Sequence, residues 1–274
     1  MSRTFELFHL SLMQRAQPDL FGDGPQNRED WLSSVLKEKI VFTGRATEYH
    51  WIPETCSKII IGIIVKEVSH SFHLPPEEGG TEKRDTEWQG ARVIIDHANH
   101  QDGQRLAFEF DTRIGKPSPL LKYLFEYLNS KPNHPYIVDA KPIFDASTFW
   151  DFAGQNGNCL RRVTFDFVAP NMWDTTKSLD QELKRARDDT NAQNIRVGFY
   201  SPDGISTESD RIKQGVEYSE KGGGEIEALA MSGLRYKSKD KTKKTKIDIQ
   251  IPNDNTEETR LSWLREAGKI LGFG

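Results

Sequence analysis

The longest apolar run of the chain, Ile59-Ile-Ile-Gly-Ile-Ile-Val65, limits what the chain can fold into. Six of its seven residues are β-branched, a type that loses rotamer freedom in a helix and packs well on a pleated surface. It is much shorter than the roughly 20 apolar residues that cross a bilayer, so it belongs inside a sheet and not inside a membrane. The flanking residues extend the pattern: 40–52 and 58–68 read as two long strands, an antiparallel pair joined by Pro53-Glu-Thr-Cys56.

The rest of the N-terminal half fits around that pair. Residues 4–12 read as an internal strand, apolar on both sides at its centre. Asn27 caps a short helix to residue 37 that buries Trp31, Leu32 and Val35. Residues 74–90 hold Pro-Pro, Gly-Gly and seven charges without a period, which predicts a mobile excursion. Residues 91–97 and 105–111 flank Asn99-His-Gln-Asp-Gly103 as a hairpin. Ser118-Pro119 opens a helix whose apolar face is Leu120, Leu121, Leu124, Phe125 and Leu128. A strand follows at 136–143, and then a short helix capped by Asp145 that carries Phe149, Trp150 and Phe152 to Gly154.

Beyond the turn at 154–158 the pattern is β-α-β-α-β-β-β-α. A strand at 160–168, a helix capped by Asp174 and marked by Leu179, Leu183 and Ala186, and a strand at 194–200 read as a β-α-β unit. A helix through Ile212 and Val216 is stopped by the glycines 222–224, which are read as a flexible helix stop and not as a phosphate loop, because the strand-loop-helix order is reversed. Strands at 225–231, 234–239 and 245–251 form a predicted antiparallel meander, and Asn255 with Glu258 makes a capping box for a last helix that buries Leu261, Leu264 and Leu271. The class expected is α+β in two domains, 1–157 and 158–274, each a mostly antiparallel or mixed sheet covered by helices. The short connection fits one continuous sheet equally well.

Charge and cysteine usage limit the function classes. The net charge of −4 argues against a whole-surface attraction to nucleic acid. The distribution is uneven: 17 basic and 22 acidic residues precede the cut at Gly157, and 20 and 19 follow it. Two distant cysteines, Cys56 and Cys159, fit a reducing cytoplasm, and the first residues lack a secretory pattern, so a cytoplasmic protein without a membrane partner is expected.

Residues 235–246 hold seven basic side chains and one acidic one. As a ribbon and its tip they suit a phosphate backbone, with Arg235, Lys237, Lys239, Lys241, Lys243, Lys244 and Lys246 as the contacts and Tyr236 placed to stack on a base. The same lysines also fit simple protection of an edge strand, or an acidic protein partner. Other chemistry is thinner. His70 with His73 and His97 with His100 have a metal-like spacing, but residues three apart on a strand point to opposite faces, so no metal site is expected. Asp111 with Asp139 and Lys141 outlines a magnesium-dependent nuclease, interrupted by a helix where such enzymes place a hairpin. No complete catalytic motif and no cofactor fingerprint is present, so neither a catalytic residue nor a cofactor is assigned.

Several of these segments line up: 104–110, Ile114-Gly-Lys-Pro117 before the leucine-rich helix, Phe149-Trp150, 162–171, 215–224 and Tyr236-Lys-Ser238. In order and spacing, over residues 91–251, they resemble uncharacterised prokaryotic proteins of mobile elements and anti-phage defence, and the layout is similar to phage-exclusion and defence proteins of the RexA and KwaB kind. The resemblance implies a DNA-associated defence role, with DNA as partner and a homodimer or a defence-system protein as a further one. It assigns no catalytic or binding residue.

Overall fold

A computed structural model describes residues 2–15, 27–56, 58–98, 104–168, 178–248 and 256–272. Its axis is β1 (Ser2–Gln14), buried without interruption from Phe5 to Met13. One edge of β1 pairs with β6 (Gln104–Glu109). Two strands share the other edge end to end: β12 (Lys244–Asp248) opposite Ser2 to Glu6, and β7 (Tyr136–Pro142) opposite Phe8 to Gln14. Leu7 joins them, because its carbonyl accepts from the Ile143 N–H at 2.9 Å and its N–H donates to the Lys243 carbonyl at 3.0 Å. β5 (Glu82–Asp96), β4 (Ile59–His73), β3 (Thr47–Cys56) and β2 (Ile40–Gly44) continue from β6 and complete an eight-stranded sheet. Every pairing among the described residues is antiparallel.

This sheet corrects two expectations. Residues 40–52 are not one strand: Arg45 and Ala46, both at positive φ (46° and 64°), turn β2 into β3. Their conformation suits the right-handed twist of a two-residue hairpin, although neither is the usual Asn or Gly. Pro53 to Cys56 then continue β3, with a register shift between Pro53 and Thr55. Nor is 74–90 an unstructured excursion. Most of it is β5, paired with β4 without a break from Asp96–Ile59 to Glu82–His73, and a 3₁₀ turn at Pro76–Glu78 closes the ribbon.

Both faces of the large sheet are covered over much of their area. On one face, α1 (Arg28–Leu36) and α2 (Pro117–Asn129) pack Trp31, Leu32, Leu36, Leu120, Leu121 and Leu124 against Phe8, Leu10, Trp51, Ile60 and Phe108. Asn27 accepts from the Glu29 N–H, and α1 buries Leu36 more fully than Val35. On the other face, α6 (Glu257–Leu271) sets Trp263, Ala267, Ile270 and Leu271 on Phe5, Leu7, Ile61, Ile94 and Ala107. The helix is therefore rotated from the expected orientation: Leu261 is 47% exposed and Leu264 only partly buried, while Leu271 is buried as read. Its N-cap is Thr256, whose Oγ1 accepts from the Thr259 N–H; Asn255 lies outside the described residues.

A second sheet has the order β11 (Arg235–Lys237), β10 (Gly224–Ala230), β8 (Cys159–Val168), β9 (Asn194–Ser206). α3 (Ser147–Gln155), α4 (Ser178–Thr190) and α5 (Asp210–Tyr218) supply Phe149, Leu179, Leu183, Ile212 and Val216 to its core with Val163, Phe165, Phe167 and Ile226. β8 and β9 are antiparallel, so the helix between them returns the chain and does not cross it over in a parallel β-α-β unit. The residue proposed to cap α4, Asp174, lies outside the described residues. The three-strand meander is also corrected: β10 and β11 pair, but the next strand, β12, joins β1 in the other sheet. Residues 158–274 thus contribute to both sheets, since β12 and α6 return to the one built before Gly157.

The two sheets meet where the turn Ser219–Gly223, which follows α5, lies on β1. Gly222 has φ +84°, and a Cβ there would sit 2.1 Å from the His9 Cβ. The contact therefore needs glycine for conformation and for space alike. The glycine run is more than a flexible helix stop; it packs the end of α5 directly on β1. His9 is buried there, and burial, with Arg105 nearby, pushes its pKa down to about 4, so the imidazole is neutral at pH 7. Among the described residues no helix is long and apolar enough to cross a membrane.

Candidate nucleic-acid interface

The lysine-rich segment is the strap that carries the chain from the small sheet to the large one. Its backbone is pinned by the polar residues between the lysines. Buried Ser238 Oγ accepts from the Ile226 N–H at 2.9 Å, Thr242 Oγ1 donates to the Lys239 carbonyl at 3.0 Å, and the Lys243 N–H donates to the Ile143 carbonyl at 2.6 Å. With Ser238 and Thr242 facing inward, Lys239, Lys241, Lys243, Lys244 and Lys246 are left exposed. The strap is not extended throughout. Residues Ser238–Lys241 form a 3₁₀ turn, so the alternation expected to align Arg235, Lys237, Lys239 and Lys241 ends at Lys237.

The eight residues singled out from sequence divide into three groups. Lys237 lies 3.5 Å from Glu227, and Lys244 lies 3.3 Å from Glu6 with its ammonium 4.3 Å from the centre of the Phe110 ring. Glu6 itself is desolvated enough that its pKa is raised despite Lys244. These two cations are engaged within the fold. Arg235, Lys239, Lys241, Lys243 and Lys246 make no salt bridge among the described residues and are exposed.

Tyr236 forms the third group and is a correction. It is 4% exposed, its hydroxyl is 2.9 Å from Thr148 Oγ1, and its ring meets Phe149 edge-on and Phe152 at a tilt. Burial pushes its pKa up to about 12. A ring held between α3 and β10 has no face to offer a base. Tyr236→Phe is therefore expected to cost about 1 kcal/mol of stability, the value of one hydrogen bond, and to leave nucleic-acid affinity unchanged; chemical denaturation and a binding titration of the same sample check both.

Next to the strap opens a groove of ≈ 760 Å³ between α2, β7 and the edge of the small sheet. Lys239 enters it from the 3₁₀ turn, and Lys116, Lys122 and Arg45 line its far side. Lys122 is paired with Glu126 at 3.7 Å. On the groove floor Lys141 Nζ lies 3.5 Å from Asp139 and 4.0 Å from Glu225, bridging β7 and β10. Burial opposes its charge, yet the Asp139, Glu225 and Asp166 carboxylates together hold its pKa above the ordinary lysine range. The lysine is thus a fixed cation tying the two sheets. Lys116, Lys122 and Arg45 escaped the sequence reading because they are dispersed along the chain; only the packing of α2 against the β2–β3 turn gathers them.

The nuclease arrangement does not form. Asp111 follows β6 near Thr4, whose carbonyl accepts from the Phe110 N–H, whereas Asp139 is opposite Ser11. At about 3.3 Å per residue, the seven-residue separation along β1 keeps the two carboxylates roughly 23 Å apart. Asp111 instead binds Arg113, with Oδ2 accepting from Nη2 at 2.6 Å, and this contact lowers its pKa. The histidine pairs do not converge either: His70 and His73 are exposed on alternate faces of β4, His97 is buried, and His100 lies outside the described residues. No cluster of metal-ligating side chains occurs among the described residues. The chain matches no protein-family model, no curated protein and no solved structure.

Proposed function

We propose that this protein binds nucleic acid, DNA in the first instance, by its phosphates and without reading sequence, through the strap between its two sheets. One observation supports the reading: Lys239, Lys241, Lys243 and Lys246 project from a backbone pinned at Ser238 and Thr242 and make no salt bridge among the described residues, the Asp145 carboxylate acting on Lys243 only through its charge. Cations held on a rigid curve contact a polyanion without the ordering cost of a flexible tail. Phosphate contacts fix register and orientation but carry no base information, and the burial of Tyr236 leaves the strap without an aromatic reader. Because the whole chain is acidic, attraction is local and screened within about 8 Å at physiological salt. The resemblance over residues 91–251 supports a role in a prokaryotic anti-phage defence or phage-exclusion system, and catalysis forms no part of the proposal.

The test is charge reversal. Replacing Lys239, Lys241, Lys243 and Lys246 together by Glu is expected to abolish binding to labelled duplex DNA while circular dichroism and melting stay unchanged. Undiminished affinity in that variant would leave the lysines as guards of an edge strand.

A further inference from the structure

Beyond its register with β3, which ends at His50–Val65, β4 runs on from Lys66 to His73 paired with β5 alone. β6 pairs β5 only from Val93 to Asp96. The two strands therefore leave the sheet as a two-stranded arm, exposed from Ser69 to His73 and from Glu82 to Trp88, with the Trp88 ring still 5.2 Å from that of His50 at its base. Such a ribbon is marginally stable by itself in water. Its outer β4 edge is also poorly defended. Exposed edges are normally blunted by charge, yet 67–73 carries one charged residue, Glu67, whereas 82–88 on β5 carries five.

The order of residues on that edge is self-complementary. A twofold axis perpendicular to an antiparallel pair keeps each face on its own side, so it must pass through one residue and its own copy. With the axis at His70, Val68 lies opposite Phe72 of the second copy, and the reverse, giving an apolar and aromatic stripe on one face. On the other face Glu67 meets His73 of the second copy, and Ser69 meets Ser71. Phe72 is 39% exposed in the single chain, and it already neighbours His70 at 6.0 Å between ring centres. This register begins at Glu67, two residues past the last β3–β4 pair, and Thr47 to Tyr49 of β3 are paired with β2 on their other side, so no β3–β4 pairing occupies the site. The β5 edge offers no equivalent: axes at Arg84, Asp85 or Thr86 set Arg84 on Arg84, Asp85 on Asp85, or Asp85 on Glu87.

We infer that a second copy of this chain is the partner of the arm, and that two arms pair through β4 into a four-stranded antiparallel sheet centred on His70. The interface is independent of the lysine strap. The test places one cysteine on the axis. In a Cys56→Ser, Cys159→Ser background, His70→Cys is expected to form a disulfide-linked dimer on oxidation, since directly opposed residues have Cα atoms about 4.5–5.5 Å apart, within the span of a disulfide. Thr86→Cys on the β5 edge is expected to stay monomeric. In the otherwise unaltered chain, Val68→Asp with Phe72→Asp should raise the dimer dissociation constant, measured by sedimentation, about tenfold or more. A chain that sediments as a 31.3 kDa monomer at tens of micromolar, crosslinking at residue 86 instead of 70, or a dimer indifferent to the double substitution would each overturn the inference.

Discussion

Replacing Gly222 by alanine is expected to lower the melting temperature by about 10 °C. Two costs combine. At φ +84° an alanine adopts the left-handed region at about 1–2 kcal/mol, and its Cβ would have to displace the β1 backbone or His9 from a 2.1 Å approach, about 1–3 kcal/mol more by the usual cost of overpacking. For a chain of this size each kcal/mol moves the midpoint by about 2–4 °C. Gly233→Ala is the control: its φ is also positive, at +88°, but nothing lies within 4 Å of the added carbon, so only the conformational cost remains. Equal losses in the two variants would contradict the close contact of the Ser219–Gly223 turn with β1.

Trp263→Ala is expected to cost about 3–5 kcal/mol, as for a fully buried large aromatic. Trp263 lies edge-on to Phe5 at 6.2 Å between ring centres, and the Arg92 guanidinium sits 4.1 Å from its own ring centre. Arg92 is fixed in turn by Glu54, with Nη2 donating to Oε1 at 2.7 Å. Removing the indole strips the cation of its ring and opens the core beneath α6. Leu261→Ala, two residues earlier on the same helix, is expected to change stability by less than about 0.5 kcal/mol because that side chain faces solvent. Denaturant melts of both variants decide which face of α6 is docked.

The parts of the fold legible in the sequence are those whose signal is local. The apolar core of β1, the leucine face of α2 and the alternation of β8 each state their own burial. The arm gave no such signal because its residues are exposed on both faces, and a strand without a buried side has no hydrophobic period to display. The β2–β3 turn was hidden because Arg45 and Ala46 stand where Asn or Gly usually announces a positive φ. The direction of β9 and the sheet that β12 joins depend on partners far along the chain, which spacing does not encode. The candidate interface divides in the same way. The density of lysines was plain, but whether Tyr236 faced a ligand or Phe149, and whether Lys237 and Lys244 already had carboxylates, was settled only by packing.

The most direct measurement of the central proposal is the affinity of the purified protein for labelled duplex DNA, single-stranded DNA and RNA across a range of salt, with magnesium present and then chelated. Four strap lysines that each neutralise one phosphate give a slope of log affinity against log salt of about −3.6 for a duplex, since each contact contributes about −0.9. The slope, read with magnesium chelated, should vanish in the four-glutamate variant, and binding should not require magnesium. Affinity that is absent at low salt, or that is flat in salt and unaltered by those four substitutions, would contradict the assignment of the strap as a phosphate-binding surface.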